Sequence, residues 1–318
     1  MKKILSLTIS LIILFLIYQK MDTTRFSIVL ARSDKLWLCI SILMVIPITM
    51  LTVARFRIIA PPDARVSFAE GMRLILAGST LNMILPSKMG DLAKAYFMQK
   101  KKSVAAPLAY ALVVFEKASD LLALLAWCLV GLLLYAGKDG RFLLATLVIG
   151  MTLAAGLSML SSRRLSRFGF SLFLKFSFGN FQKLLYRFQS TWEEVVLYAM
   201  GNKLTALRIA ATSLFIWFLH LLQIWLFIIS LRAHAPFLTS LMLSPLAILA
   251  GLLPFTFAGI GTRDAALITL YLPYFDKPTG AALGILCTMR YIIPALLGLP
   301  FLRTYTSDMG DVFGNRNI

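Results

Sequence analysis

Residues 70–102 read EGMRLILAGSTLNMILPSKMGDLAKAYFMQKKK, and this stretch decides the fold. An apolar helix opens at Glu70 and reaches Asn82 short of the roughly 20 residues a helix needs to cross a bilayer. It then meets Leu85-Pro86. Proline has no backbone donor and pushes the preceding residue away from helical geometry, so the helix must break there. The chain passes Lys88, Gly90 and Asp91, and a second short helix carries Lys94 out to Lys100, Lys101 and Lys102. Unpaired N–H and C=O groups cannot face acyl chains, so a helix broken at membrane depth must line protein or a wet cavity. The expectation is a re-entrant hairpin over 69–99 with a polar tip that forms half of a substrate site.

Composition agrees. The 318 residues are 59% hydrophobic and only 14% charged, which excludes an ordinary soluble enzyme. The fold expected is an all-α polytopic membrane protein with about six full spans and two broken-helix hairpins, in one membrane domain over 1–318. The spans fall at 4–18, 36–54, about 113–136, 142–160, 209–231 and 281–302. The first has the basic start of a signal peptide but no small-residue cleavage site, so it reads as an uncleaved helix. The region 163–206 differs, mixing Arg163, Arg164, Arg167, Lys175, Lys183 and Arg187 with Phe, Leu and Tyr. It reads as amphipathic helices lying on the membrane surface. The net charge of +18 sits mainly in loops that fall on one side. The positive-inside rule then places both termini in the cytoplasm of a cell inner membrane. No nucleic-acid-binding module accompanies the charge, so no nucleic acid is expected. Cys39, Cys128 and Cys287 each sit in an apolar run without paired spacing, so neither metal nor disulfide is expected, nor any cofactor.

A second interrupted segment lies in 238–274. Residues 251–268 read GLLPFTFAGIGTRDAALI: apolar helix, Leu-Pro, a glycine bend at Gly259 and Gly261, then Arg263-Asp264 and an Ala-rich helix. On the charge-derived topology it enters from the face opposite to the first. Pro-to-Asp distances of five and ten residues make the repeat weak in sequence. Two interrupted segments of opposite orientation are nevertheless the pattern of an inverted-repeat transporter with a site near the midplane.

The residues able to carry chemistry are few. Lys88, Asp91 and Lys94 recur every three residues and share a helix face. One reading is an interfacial ion-pair ladder; the other is a phosphate site, with Gly90 and a helix N-terminus admitting an anion. Asn82 either answers carbonyls freed by Pro86 or contacts a headgroup. Glu116 and Asp120 lie one turn apart with Lys117 between, either self-neutralising or facing an interior cavity. Arg263-Asp264 caps the second half-helix. Arg290 falls mid-span, where an unpaired charge costs several kcal/mol; its candidate partners are Asp264, Asp91, Asp120 or an anionic ligand. Arg73 has a weaker claim. His220 and His234 stand alone and are not expected to act as ligand or base, and no catalytic motif appears.

LNMILPSKMGDLAKAYFMQ, FEKASDLLALL, PFTFAGIGTRDAAL and MRYIIPALLG, in that order, resemble the lysylphosphatidylglycerol synthase transmembrane region family. These are flippase-like membrane domains, also known as stand-alone proteins of the UPF0104 type. The resemblance points to Asn82, Pro86, Gly90, Asp91, Glu116, Asp120, Gly259, Gly261 and Arg290. Lys117 stands where such proteins often carry Arg, and Asp264 where they often carry Glu; a lysine gives up bidentate phosphate contact. The aminoacyl-transferase activity of the two-domain synthases is not implied for this chain.

The function expected is translocation or handling of an anionic phospholipid or polyprenyl-phosphate-linked lipid, without catalysis. Both hairpin tips would meet in a central cavity, where Arg290 and Lys88 face the phosphate. Asp91, Asp120 and Asp264 would balance those cations or couple protons. The alternatives are a membrane-embedded enzyme acting on a lipid headgroup, and an accessory subunit or scaffold for a lipid- or glycan-synthesis enzyme.

Overall fold

The computed structural model describes residues 23–84, 90–102, 104–134, 140–161, 163–175, 179–252 and 259–314. Among these residues the regular structure is helical, without strands. The helices are α1 (Thr23–Ala31), α2 (Lys35–Leu43), α3 (Val45–Ile59), α4 (Phe68–Ile84), α5 (Gly90–Lys102), α6 (Ala106–Leu134) and α7 (Gly140–Ser161). They continue with α8 (Arg163–Lys175), α9 (Gly179–Gly201), α10 (Lys203–Ser230), α11 (Phe237–Gly251), α12 (Thr262–Tyr271) and α13 (Lys277–Gly314). Among the described residues five stretches are long and apolar enough to cross a bilayer: Lys35–Ile59, Ala106–Leu134, Phe142–Ser161, Lys203–Ser230 and Lys277–Leu302. They coincide with five of the six spans read from sequence. The sixth, over 4–18, lies outside the described residues, as do Pro86, Lys88 and Pro254.

Short-range chemistry sets the helix starts. Asp34 Oδ1 accepts from the Leu36 and Trp37 amides at 2.9 and 3.2 Å and opens α2. Ser67 Oγ accepts from the Glu70 amide at 3.2 Å and opens α4. Asn202 does the same for Leu204 at the head of α10, and Asp276 for Thr279 at the head of α13. Each side chain answers an amide that the first helical turn leaves without a partner.

The chain divides into two compact units. The first takes residues 23–48, 122–153 and 214–292. Its core gathers Leu124, Cys128, Leu221, Phe227, Ala247, Leu267, Tyr271 and Leu283, all buried. Here α11 and α12 form an antiparallel hairpin. Ser244 Oγ meets Tyr271 Oη at 2.8 Å at its far end, and at the near end Gly251 faces Arg263 so closely that a Cβ there would lie 2.8 Å from the Arg263 Cβ. Gly259 and Gly261 take φ values of +77° and +103°, a region L-residues rarely enter, which explains glycine at both bends.

The second unit takes residues 49–121, 154–213 and 293–314. Helices α4 and α5 pack antiparallel within it. A Cβ on Gly90 would run into the Asn82 amide nitrogen and lie 2.7 Å from the Gly78 carbonyl, and Gly78 in turn lies against the Lys94 stem. Gly90 therefore lets two helices meet at backbone distance. Gly298 does likewise for α13 against α4, where a Cβ would collide with the Leu76 carbonyl. Thr80 Oγ1 reinforces that seam by donating to the Ala295 carbonyl at 2.6 Å. Helices α8 and α9 pack through Phe170, Phe188 and Trp192, whose Nε1 donates to Ser166 Oγ at 3.0 Å. On their exposed side Arg167 forms a two-point pair with Glu193, which raises the guanidinium's already high pKa further through those hydrogen bonds. Leu165 and Phe168 are exposed beside it.

One boundary differs from the sequence reading. The second span runs on through Ile59, so Arg55 and Arg57 lie within α3 and not in a loop after it. The span read at about 113–136 is the later part of one apolar helix, Ala106–Leu134, roughly 43 Å long at 1.5 Å per residue, in keeping with the long apolar run that begins at 104. Glu116, Lys117 and Asp120 thus sit in its third and fourth turns.

Candidate functional site

In the second unit, three helices bring six charged side chains together. Helix α3 supplies Arg55, α5 supplies Asp91 and Lys94, and α6 supplies Glu116, Lys117 and Asp120. Asp91 and Lys94 are one turn apart, as are Lys117 and Asp120, so each helix presents its charges on one face. Lys94 Nζ lies 2.5 Å from Glu116 Oε2 and 3.3 Å from Asp91 Oδ1. Lys117 bridges Asp91 at 3.0 Å and Asp120 at 3.5 Å. Arg55 Nη1 donates to Asp120 Oδ1 at 2.5 Å and to Ser213 Oγ of α10 at 3.2 Å, while its Nη2 stands 3.7 Å from Glu116 Oε1.

Exposure falls inward, from 44% for the Lys117 side chain through 23% for Asp120 and 14% for Asp91 to 2% for Lys94 and zero for Arg55 and Glu116. Three cations face three carboxylates, so the cluster carries no net formal charge. Its hydrogen bonding is incomplete: Arg55 Nε and Nη2 and Glu116 Oε1 are buried without hydrogen-bond partners among the described residues.

Asn82 and Gly90 belong to the scaffold of this cluster. Asn82 Oδ1 accepts the Asp91 amide at 3.1 Å and so answers the first turn of α5. Arg73 pairs with Glu70 at 3.8 Å and is half exposed.

In the first unit, Asp264 Oδ2 accepts the Gly261 amide at 3.1 Å, the capping contact expected at the head of α12. Arg263 donates through Nε and Nη2 to Asp264 Oδ1 at 2.9 and 2.6 Å. Its Nη2 also reaches the Gly284 carbonyl at 2.9 Å and Thr288 Oγ1 at 2.7 Å. Arg263 is thereby answered, and it ties α12 to α13. Gly284 makes room for this, since a Cβ there would lie 2.9 Å from Asp264 Oδ1.

Arg290 is different. It is 4% exposed; among the described residues its Nη2 donates to its neighbour Tyr291 Oη at 2.7 Å, with the guanidinium 4.8 Å from that ring. Nε and Nη1 are buried without hydrogen-bond partners among the described residues. Asp264, one of its expected partners, belongs to Arg263. Asp91 and Asp120 are held by Lys94, Lys117 and Arg55.

Of the residues singled out from sequence, the structure brings together Asp91, Lys94, Glu116, Lys117 and Asp120, leaves Arg290 apart from them, and adds Arg55, which the sequence reading missed as a member of the cluster. Arg55 follows nineteen residues without an acidic or basic side chain (36–54), which is the usual signature of a cation at a span's end. The signal that would have found it is the excess of carboxylates on the facing turn of α6. Among the described residues, no group of three or more His, Cys, Asp or Glu side chains is arranged to hold a metal ion.

The sequence matches the family described as Lysylphosphatidylglycerol synthase TM region over residues 3–298. It is also 24% identical to a protein of Methanocaldococcus jannaschii named UPF0104 membrane protein MJ1595, with 93% of this chain and 94% of that protein covered. No solved structure matches.

Proposed function

The chain belongs to the lysylphosphatidylglycerol synthase transmembrane region family, an integral membrane protein with a lipid-related role, and from that premise we propose that it moves an anionic lipid between leaflets. The substrate class is a phospholipid or polyprenyl-phosphate-linked lipid whose phosphate pairs with Arg290. The carrying observation is the state of that side chain, near the middle of the span Lys277–Leu302. Each of its two unanswered nitrogens leaves a buried donor unmet, at about 1–3 kcal/mol apiece. The cation–π contact with Tyr291 returns only about 0.5–2 kcal/mol. A side chain kept at such a deficit is explained by an anion that meets it during the working cycle.

Helix lengths support the reading. At 1.5 Å per residue α4, α5, α11 and α12 reach about 25, 20, 22 and 15 Å, each short of a hydrocarbon core of about 30 Å. We read both hairpins as re-entrant and as the two halves of an inverted repeat. Arg65 Nη2 donates to Tyr198 Oη at 3.0 Å, joining two basic segments that we read, from the positive-inside rule, as cytoplasmic.

The test is translocation in proteoliposomes. A tail-labelled fluorescent phosphatidylglycerol is followed by its protection from a membrane-impermeant quencher. Arg290→Gln is expected to slow exchange at least tenfold, with thermal stability unchanged or raised because a strained buried charge is gone. Arg290→Lys should keep part of the rate. Wild-type exchange by Arg290→Gln would overturn the proposal.

A further inference from the structure

The cluster around Arg55 poses a different question. It is electrically balanced, three cations against three carboxylates, yet it holds a guanidinium that is only half used. Asp120 and Ser213 engage Nη1 alone. Nε and Nη2 form the edge of a guanidinium that receives an oxyanion through two parallel hydrogen bonds, and on Arg55 neither atom has a hydrogen-bond acceptor among the described residues, Nη2 lying 3.7 Å from Glu116 Oε1.

An anion brought into a balanced, buried cluster would be repelled by the carboxylates already there, because opposite charge is spent and the dielectric is low. Entry becomes favourable when one carboxylate is discharged and gives up its cation. Asp120 is placed to do this. It is the most exposed of the three acids, at 23%, and it holds Arg55 by a single oxygen. It lies beside Lys117, the one cation of the cluster that reaches the rim. The charged groups around it are Arg55 from α3, Asp91 and Lys94 from α5, and Glu116 and Lys117 on its own helix. Ser213 from α10 shares its guanidinium partner.

We propose that Arg55, Lys117 and Asp120 form a proton-linked site for a phosphate oxyanion, which exchanges for the Asp120 carboxylate on Arg55 as Asp120 takes up one proton. The step is balanced. The Arg55–Asp120 ion pair breaks, a proton from the aqueous phase adds to the Asp120 carboxylate, and the oxyanion pairs with Arg55. Lys117, already at the rim, meets the anion first. A phosphate offers acceptors for Nε and Nη2 that the carboxylate leaves unanswered. Charge is conserved within the cluster, since one anion enters with one proton. The lipid source of that phosphate rests on the function proposed above; the oxyanion chemistry does not.

The experiment is isothermal titration of the full-length protein in zwitterionic nanodiscs. The two probes are dioctanoyl phosphatidylglycerol and the free diester dimethyl phosphate, neither of which titrates near neutrality. Each titration is run in two buffers of different ionisation heat, which reports the protons taken up per ligand bound. The expected result is close to one proton per bound lipid, with Kd weakening about tenfold per pH unit above the ionisation range of Asp120, as linkage requires. In the isosteric Asp120→Asn the proton count should fall to zero and Kd should lose its pH dependence, with binding retained. Arg55→Lys should weaken binding in both backgrounds.

Lipid binding with no proton uptake, unchanged in Asp120→Asn, overturns this inference and leaves the lipid reading intact. Binding of dimethyl phosphate with one proton, and none of the lipid, upholds the oxyanion site and removes the lipid reading. Failure of both probes to bind overturns both.

Discussion

Replacing Lys94 by Met isolates what holds the charge cluster together. The ammonium is 2% exposed, 2.5 Å from Glu116 and 3.3 Å from Asp91. In Lys94→Met, Asp91 keeps Lys117 at 3.0 Å. Glu116 keeps nothing closer than Arg55 at 3.7 Å, and neither of its oxygens then has a hydrogen-bond partner. Leaving one member of a buried pair uncompensated costs about 3–5 kcal/mol. A chain of this size should lose on the order of 5–10 °C in Tm, scaled down from smaller domains. Removing both partners tells more. In Lys94→Met/Glu116→Met the orphaned carboxylate is gone, and an apolar pair of similar volume is often as stable as the ions it replaces. The double variant should return to within about 1–2 kcal/mol of wild type, a coupling of several kcal/mol. Thermal unfolding of detergent-solubilised protein by far-UV circular dichroism measures the cycle. Lys117→Met serves as the rim control and should shift Tm by less than a third as much, because Asp91 and Asp120 retain Lys94 and Arg55. If the double variant loses the sum of the two single losses, Lys94 and Glu116 are not a coupled pair and the account of the cluster is refuted.

Two further outcomes test the scaffold. Gly90→Ala drives a methyl into the backbone of α4 and should cost about 1–3 kcal/mol or more, read as a drop in Tm, while Gly140→Ala, whose methyl would meet no described residue within 4 Å, should be neutral. Arg263→Lys cannot reproduce contacts to Asp264, Gly284 and Thr288 from one ammonium, so it should destabilise by about 2–4 kcal/mol; Arg290→Lys, with little to lose, should leave Tm within error.

The spans were legible because they are local. Five apolar runs mark five candidate spans among the described residues, and the capping residues Asp34, Ser67 and Asp276 sit within three residues of the amides they answer. The Asp264–Gly261 contact was legible for the same reason. Pairing across the fold was not. Arg55 lies 65 residues from Asp120, and nothing in either neighbourhood states that they meet. The rule that cations gather at span ends actively misplaced Arg55, since burial beside three carboxylates outweighs the pull of the interface only when those carboxylates are present. Gly90 carried a true signal of close approach, yet sequence could not say that the approaching group is a helix and not a ligand. Arg290 stood out because its difficulty is intrinsic: no arrangement of nearby sequence offers it an acid.

The seam at Gly298 has a mechanical meaning. At Gly298 no Cβ separates α13 from the Leu76 carbonyl of α4, and with Thr80 latched to the Ala295 carbonyl these two rods cannot slide past each other here without breaking that latch. They behave as a welded strut. A displacement of α4 is therefore passed at this joint to the part of α13 that shares its unit, 293–314.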